Sequence, residues 1–203
     1  MRKYSAVVFD LGMVLVPFDY KIMVNKLELI QAGLGDHLIE SYKNNYHIHR
    51  GFERGEISTE DFISQMLKVL DYKIGSEIFC RFYSEIFTVN QNVVDLLPIL
   101  KNNFRLFLLS NTNALHHQYG WKDYPFIHHF EKLILSHEVG AVKPEEKIFR
   151  AVELASKLPS GEHILIDDIA EYVEAAKNLG WDGVQFKGYD DLVFNFKQRG
   201  VLN

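Results

Sequence analysis

Near its start the chain carries the run Tyr4-Ser5-Ala6-Val7-Val8-Phe9-Asp10-Leu11-Gly12-Met13-Val14-Leu15-Val16. The run is apolar and rich in β-branched residues, and it is interrupted by a carboxylate with glycine two positions on. Such a run reads as a strand buried on both faces, as in a parallel sheet covered by helices. Asp10 is the exception, because an unpaired carboxylate in these surroundings carries a large desolvation penalty. It is expected at the open carboxyl end of the strand, where α/β sheets place their ligands, and beside a permanent cationic partner.

Beyond this run the chain falls into two parts. From about Asp19 to Phe87 no strand-like run occurs and apolar residues recur at helical spacing. Met23, Leu27, Ile30 and Leu34 form one stripe, and Phe62, Met66 and Leu70 a second, opened by Ser58 and Asp61 as a capping box. Ile78, Phe79, Phe82, Tyr83, Ile86 and Phe87 form a third, read as core between helices. His47, His49, Arg50 and Arg54 fall between these helices, in a loop suited to reading a substrate.

From Asn90 onward helices and strands alternate. A helix over about Gln91 to Asn102, bent at Pro98, leads to the strand Phe104–Leu109. The strand Lys132–Leu135 precedes a helix starting at Pro144, with Glu145 and Glu146 in its first turn as structural acids. The strand His163–Ile166 ends on Asp167-Asp168, and the next helix stops at Gly180. A short strand, Gly183–Phe186, leads into a last helix. The expected fold is α/β: a doubly wound parallel sheet with an inserted α-helical cap. The core is assigned to residues 1–17 plus 89–203 and the cap to 18–88.

The totals narrow the function. A net charge of −5 over 203 residues gives no support for nucleic-acid or membrane-surface binding. The single cysteine, Cys80, excludes an internal disulfide and points to a reducing compartment. Arg2 and Lys3 precede an apolar run, but Asp10 and Gly12 interrupt it as no signal peptide is interrupted. A cytoplasmic protein is expected, with its oligomeric state open.

The chemistry stands at the strand ends: Asp10, then Ser110-Asn111-Thr112-Asn113, Lys143, and Asp167-Asp168. In an open α/β sheet these ends share one crevice. Three carboxylates against one lysine leave uncompensated negative charge, which an oxygen-liganded Mg²⁺ relieves. The site then accepts a phosphate. Asp10 becomes the nucleophile, Lys143 and Mg²⁺ neutralise the phosphoryl oxygens, and the Ser110 hydroxyl and Asn111 backbone N–H hold the transferring group.

The segments Phe9-Asp10-Leu11-Gly12-Met13-Val14, Leu108-Leu109-Ser110-Asn111-Thr112-Asn113, Val142-Lys143-Pro144 and Leu165-Ile166-Asp167-Asp168 resemble the four motifs of the haloacid dehalogenase-like hydrolases, over essentially the whole chain. The insertion resembles a C1-type cap. Asp-Leu-Gly in the first segment, Leu115-His116 after the second and Arg54-Gly55-Glu56-Ile57-Ser58 in the cap resemble the branch containing α-glucose-1-phosphate phosphatase. The resemblance implies a Rossmann-like core and phosphatase activity. Asp10 would be nucleophile and metal ligand, the Gly12 carbonyl and Asp167 further ligands with Asp168 in support, and Ser110 and Lys143 phosphate-binding.

Gly12 departs from the commoner pattern, in which an aspartate at that position acts as general acid and base. Its loss lowers rates about 10²–10⁴-fold unless the leaving group departs easily. The expected substrate is therefore a small metabolite with an activated phosphate, such as a sugar-1-phosphate. Ile169 and Tyr172 replace asparagines that often follow the paired aspartates and weaken the polar surroundings.

The pairs His47/His49, His116/His117 and His128/His129 have no acidic or cysteine partner at a ligand spacing, so no dedicated transition-metal site is expected. Thr112 and Asn113 either line the phosphate pocket or cap the following helix, and Trp121 and Trp181 are read as packing or surface residues. A receiver-type signalling domain also combines an acidic pocket, a hydroxyl residue and a lysine, but it would be shorter and would lack the helical insertion; two rival functions remain beside the phosphatase. One is a metal-independent 2-haloacid dehalogenase, which leaves the Asp167-Asp168 pair without purpose. The other is a degenerate phosphatase that binds without turnover.

Overall fold

β1 (Ala6–Phe9) is buried along its whole length, as its unbroken apolar run requires. In the computed structural model, which describes residues 3–202, β1 is the central strand of a five-stranded parallel sheet. Arg2 lies outside the described residues. β2 (Arg105–Ser110) and β3 (Lys132–Leu135) flank β1 on one side, and β4 (His163–Asp167) and β5 (Asp182–Gln185) on the other.

Alternate residues of each strand face opposite sides of the sheet. Val7, Phe9, Leu106, Leu108, Ile164 and Ile166 enter one apolar cluster, closed by α6 (Gln91–Val94), α7 (Leu96–Lys101) and α11 (Tyr189–Gln198). Ala6, Val8, Phe107, Leu109 and Leu165 enter another, closed by α9 (Glu146–Ser156) and α10 (Ala170–Asn178). The doubly wound sheet is thus as expected. No helix among the described residues is long and apolar enough to cross a membrane.

Helix boundaries differ from the sequence reading where backbone chemistry intervenes. The segment after Asn90 breaks at Asp95, between α6 and α7, and not at Pro98. Proline cannot bond the carbonyl four residues back and its ring crowds that carbonyl, which puts the break at Val94–Asp95. Pro144 does not open α9. Its peptide with Lys143 is cis, and a turn closed by Glu145 N–H donating to the Val142 carbonyl (2.8 Å) delays the helix to Glu146. α10 ends as expected, with Gly180 left-handed at φ +92°.

The block between β1 and β2 is helical but more finely cut than its stripes suggest. It comprises α1 (Lys21–Ile30), α2 (Leu34–Asn44), α3 (Tyr46–Glu53), α4 (Thr59–Val69) and α5 (Ser76–Ser84). The first stripe spans two helices: Ile30 is exposed and Leu34 opens α2, after a turn at Gly33 (φ +83°). Ser58 caps α4 as expected, its hydroxyl accepting from Asp61 N–H at 3.0 Å. His47, His49 and Arg50 lie on α3 and Arg54 is its C-cap, so the expected loop is a helix. A histidine on its buried face, beside Phe52, hides the apolar periodicity of α3.

These helices share one core, running from Met23 through Phe62, Phe79 and Tyr83 to Ile86, and Leu115 from beyond β2 joins it. Two backbone hydrogen bonds form the neck of the insertion: Asp19 N–H to the Ile86 carbonyl (3.0 Å) and Thr88 N–H to the Pro17 carbonyl (2.8 Å). A second junction lies at α8 (Ser136–Val139), after β3. Gly55 is left-handed (φ +71°), and a Cβ there would overlap the His137 carbonyl oxygen. Gly55→Ala therefore combines backbone strain with a clash against main chain, and is expected to cost about 1–3 kcal/mol. Urea denaturation measures it; an unchanged midpoint would show that the junction yields freely.

Candidate active site

Strand register assembles the site. Phe9 pairs with Leu108 on one side and Ile166 on the other, so Asp10, Ser110 and Asp167 reach the same rim of the sheet. Asp10 N–H continues the ladder, donating to the Ile166 carbonyl at 2.8 Å. The turn ahead of α9 delivers Lys143. Its ammonium lies 2.7 Å from Asp10 Oδ1, 2.5 Å from Asp167 Oδ2 and 3.1 Å from the Leu109 carbonyl, with only 1% of the residue exposed. The expected cationic partner of Asp10 is thus Lys143.

Asn111 has a part its motif does not reveal. Its Oδ1 accepts from Lys143 N–H (2.7 Å) and its Nδ2 donates to the Lys143 carbonyl (3.1 Å), clamping the lysine backbone. Arg50, reaching down from α3, donates to the same carbonyl at 3.1 Å. Arg54 pairs with Glu145, so that acid ties the core to the helical block. Thr112 exchanges hydrogen bonds with Ser136: its N–H donates to Oγ (2.9 Å) and its carbonyl accepts from Oγ (2.8 Å). Asn113 Oδ1 caps the next turn by accepting from His116 N–H (3.0 Å).

The charges are unbalanced. Burial pushes the Asp10 carboxyl up to about 7, and the charge of Asp167 adds to the rise while Lys143 opposes it. Burial disfavours the Lys143 ammonium, but Asp10 and Asp167 outweigh it and hold its proton more tightly than usual. Asp168 is raised by burial, then by Asp167. Carboxylate oxygens of Asp10, Asp167 and Asp168 lie within 4.8 Å of one another. Three acids facing one ammonium, all offering oxygen, fit a hard divalent cation such as Mg²⁺. The Gly12 carbonyl accepts from Val14 N–H (2.7 Å), which leaves one of its two lone pairs.

Above this rim a hollow of about 260 Å³ opens between sheet and helices, walled by Met13, Phe18, Tyr46, Arg50, Glu53 and Tyr172. Phe18, Tyr46 and Glu53 carry no signal in the sequence because they come from separate segments with no common spacing. A Cβ on Gly12 would lie 3.1 Å from Phe18 Cε1, so an aromatic ring crowds the place of a general acid. Burial pushes the Glu53 carboxyl up, partly offset by Arg50 at 3.1 Å. Tyr172 leaves its surroundings polar: its hydroxyl accepts from Asn111 Nδ2 at 3.4 Å. Ser110 is buried and lines an adjoining hollow. His117 lies, against the sequence expectation, near an acid: ligand atoms of His117, His137 and Glu138 fall within 4.8 Å, a grouping that spacing along the chain conceals. Trp121 and Trp181 are buried.

Residues 8–185 match the family described as haloacid dehalogenase-like hydrolase. The chain is 27% identical over 192 residues to D-ribitol-5-phosphate phosphatase of Bacteroides thetaiotaomicron, covering 88% of this chain and 90% of that protein. Its fold superposes on a crystal structure of a haloacid dehalogenase family enzyme from the same organism, with TM-score 0.83 and 24% identity over 96% of this chain and 99% of that one. L-2-haloacid dehalogenase from Xanthobacter autotrophicus is a more distant likeness, with TM-score 0.63 and 18% identity over 100% and 85% of the two chains.

The raised Asp10 pKa has a consequence for stability. Without a divalent cation the folded chain holds this proton more tightly than the unfolded one does. The group's contribution to stability therefore falls as pH rises from 3.8 through about 7. A cation must displace that proton, so Mg²⁺ is expected to raise Tm more at pH 8 than at pH 6. Asp10→Asn should remove most of the difference. Melts with Mg²⁺ and with chelator check this; equal shifts at both pH values would contradict it.

Proposed function

The chain belongs to the haloacid dehalogenase-like hydrolases, and on that premise we propose that it is a phosphatase. In this reading it hydrolyses the monoester of a small phosphorylated metabolite, a sugar or polyol phosphate, through an aspartyl-phosphate at Asp10. The observation that carries this is the single buried ammonium of Lys143 held between Asp10 and Asp167, with Asp168 beside them. The relative named as a D-ribitol-5-phosphate phosphatase agrees with a small phosphorylated metabolite, its named substrate being an alkyl and not an anomeric ester, and the enzyme solved with magnesium and inorganic phosphate, TM-score 0.78, agrees with the ligands.

Asp10 Oδ attacks phosphorus, the P–O ester bond breaks and the leaving oxygen takes a proton. Water then attacks the acyl phosphate, releasing inorganic phosphate and restoring the carboxylate. Lys143 holds Asp10 in place and balances charge as it moves from carboxylate to phosphoryl oxygens. The Ser110 hydroxyl and Asn111 hold the transferring group, and the Asn111 side chain fixes Lys143. Mg²⁺, held by Asp10, Asp167, Asp168 and the Gly12 carbonyl, would neutralise phosphoryl charge when bound.

No carboxylate stands at Gly12 to protonate the leaving oxygen, and the Phe18 ring lies close to where a side chain there would begin. Leaving groups of low basicity are therefore favoured, an anomeric oxygen among them. The division into a core, 1–17 with 89–203, and a cap, 18–88, is supported by the neck bonds at Pro17–Thr88 and Asp19–Ile86. The clustered acids favour metal-dependent phosphate chemistry over metal-independent dehalogenation.

Purified protein assayed against phosphorylated metabolites should turn over anomeric or acyl phosphates with Mg²⁺ and lose activity in chelator. Asp10→Asn should lower kcat at least about 10³-fold. Turnover that survives either change, or alkyl phosphates hydrolysed as fast as anomeric ones, would overturn the respective part of the reading. Phosphate and Mg²⁺ binding without turnover would show a binding protein.

A further inference from the structure

β2 and β3 run side by side, with Ser110 paired to Leu135, so the segments leaving their carboxyl ends travel together. The first carries His117, on the π-helical turn His116–Trp121, and the second carries His137 and Glu138 on α8. A ligand atom from each of these three side chains lies within 4.8 Å of the other two. The group shares no residue with the acids Asp10, Asp167 and Asp168, which form the other such cluster among the described residues.

The three side chains are free to take a ligand. His137 Nδ1 lies 3.3 Å from the Thr112 carbonyl. A carbonyl only accepts, so Nδ1 carries the ring proton and Nε2 keeps its lone pair. Metal-binding histidines commonly make this outer bond, which fixes tautomer and ring orientation. The His117 ring forms no hydrogen bond among the described residues. Ring contacts hold it instead, with centroids 4.6 Å from Trp121 and 6.2 Å from His137. Glu138 is exposed, and its carboxylate has no hydrogen bond or salt bridge among the described residues. Burial lowers the pKa of both imidazoles, which are then in their neutral, ligating form near pH 7. Lys122 and Asp123, beside His117 in the chain, act on its ring with opposite signs.

Two imidazoles and a carboxylate suit a borderline cation. Zn²⁺ takes such donors in tetrahedral array, and three protein ligands leave the fourth position to water. Mg²⁺ and Ca²⁺ prefer oxygen alone, as the rim at Asp10 offers it. His117 and Glu138 also wall an open hollow of about 450 Å³, which leaves a path to the cluster from solvent. We propose that His117, His137 and Glu138 form a second metal site, selective for a Zn²⁺-class cation and separate from the oxygen site at Asp10. A cation there clasps the loop after β2 to α8. Thr112, whose carbonyl orients His137, directly follows Asn111, the clamp on Lys143, so the clasp stiffens the segment that positions the catalytic lysine.

The test uses chelator-stripped protein without a polyhistidine tag, titrated with Zn²⁺ against a chromogenic chelator in excess Mg²⁺. Wild type should take up one Zn²⁺ per chain with a micromolar or tighter Kd, and Asp10→Asn should bind it equally well. Affinity should fall at least about 10-fold in His117→Gln and in His137→Gln. Co²⁺ in wild type should give the strong visible absorption of a four-coordinate site with nitrogen ligands, not the weak bands of an octahedral oxygen site.

Both histidines are half-buried, so Glu138→Ala, at an exposed and unpartnered side chain, keeps the test open if the histidine variants misfold. It should show the same loss of affinity, and Zn²⁺ should raise Tm in wild type and Asp10→Asn but much less in Glu138→Ala. No uptake at micromolar Zn²⁺, uptake unchanged in Glu138→Ala, or uptake abolished by Asp10→Asn overturns the proposal. The site does not depend on catalysis: absent turnover would overturn the phosphatase reading and leave Zn²⁺ binding standing, and the reverse holds equally.

Discussion

One ammonium shared by two carboxylates organises this protein. Lys143 reaches Asp10 and Asp167 from a turn far from the first in sequence and nearer the second, and closes the gap between the ends of β1 and β4. Removing a charge from water costs several kcal/mol, and the pair interactions repay it only with good geometry and satisfied hydrogen bonds. That geometry is supplied from three sides: the Leu109 carbonyl takes a third ammonium proton, Asn111 clamps the lysine backbone, and Arg50 caps its carbonyl. The rim is preorganised, yet its acids outnumber its cation. Structure and reactivity share that origin.

Gly12 and Phe18 show a second constraint. A glycine is commonly understood as freedom of the backbone, but here its effect is on its neighbour: the Phe18 ring approaches to where a Cβ would touch it. A side chain at this position would press on an aromatic ring that also packs near Phe87, with ring centroids 6.2 Å apart, and the ring would have to give by a few tenths of an ångström. The missing proton donor and the aromatic wall are therefore one feature.

The sheet is legible in the sequence because each strand is an apolar run, and Asp10, Ser110 and Asp167 stand out because each closes such a run or follows it directly, whereas Lys143 lies beyond α8 and is marked only by its place ahead of a helix. Period and position both speak there. Pro98 and Pro144 are visible as breaks, but where a break falls depends on the carbonyl one turn back and on how the preceding turn closes. α3 escapes the pattern because His49 occupies its buried face. Glu53, Tyr46 and Phe18 are illegible for a different reason: they converge from α3 and from the neck of the helical block, and only tertiary packing puts them in one hollow.

Leu115 belongs to the apolar core of the helical block although it lies beyond β2, and Ser84 Oγ donates to its carbonyl at 3.1 Å. The roof over the active site and the loop forming its floor are consequently anchored in the same oil. A wide swing of the roof would drag the floor with it or tear Leu115 out of its packing. Leu115 and the Ser84 bond thus couple any displacement of the helical block to the segment that carries Asn111 and Thr112, a hinge pin shared by ceiling and ground.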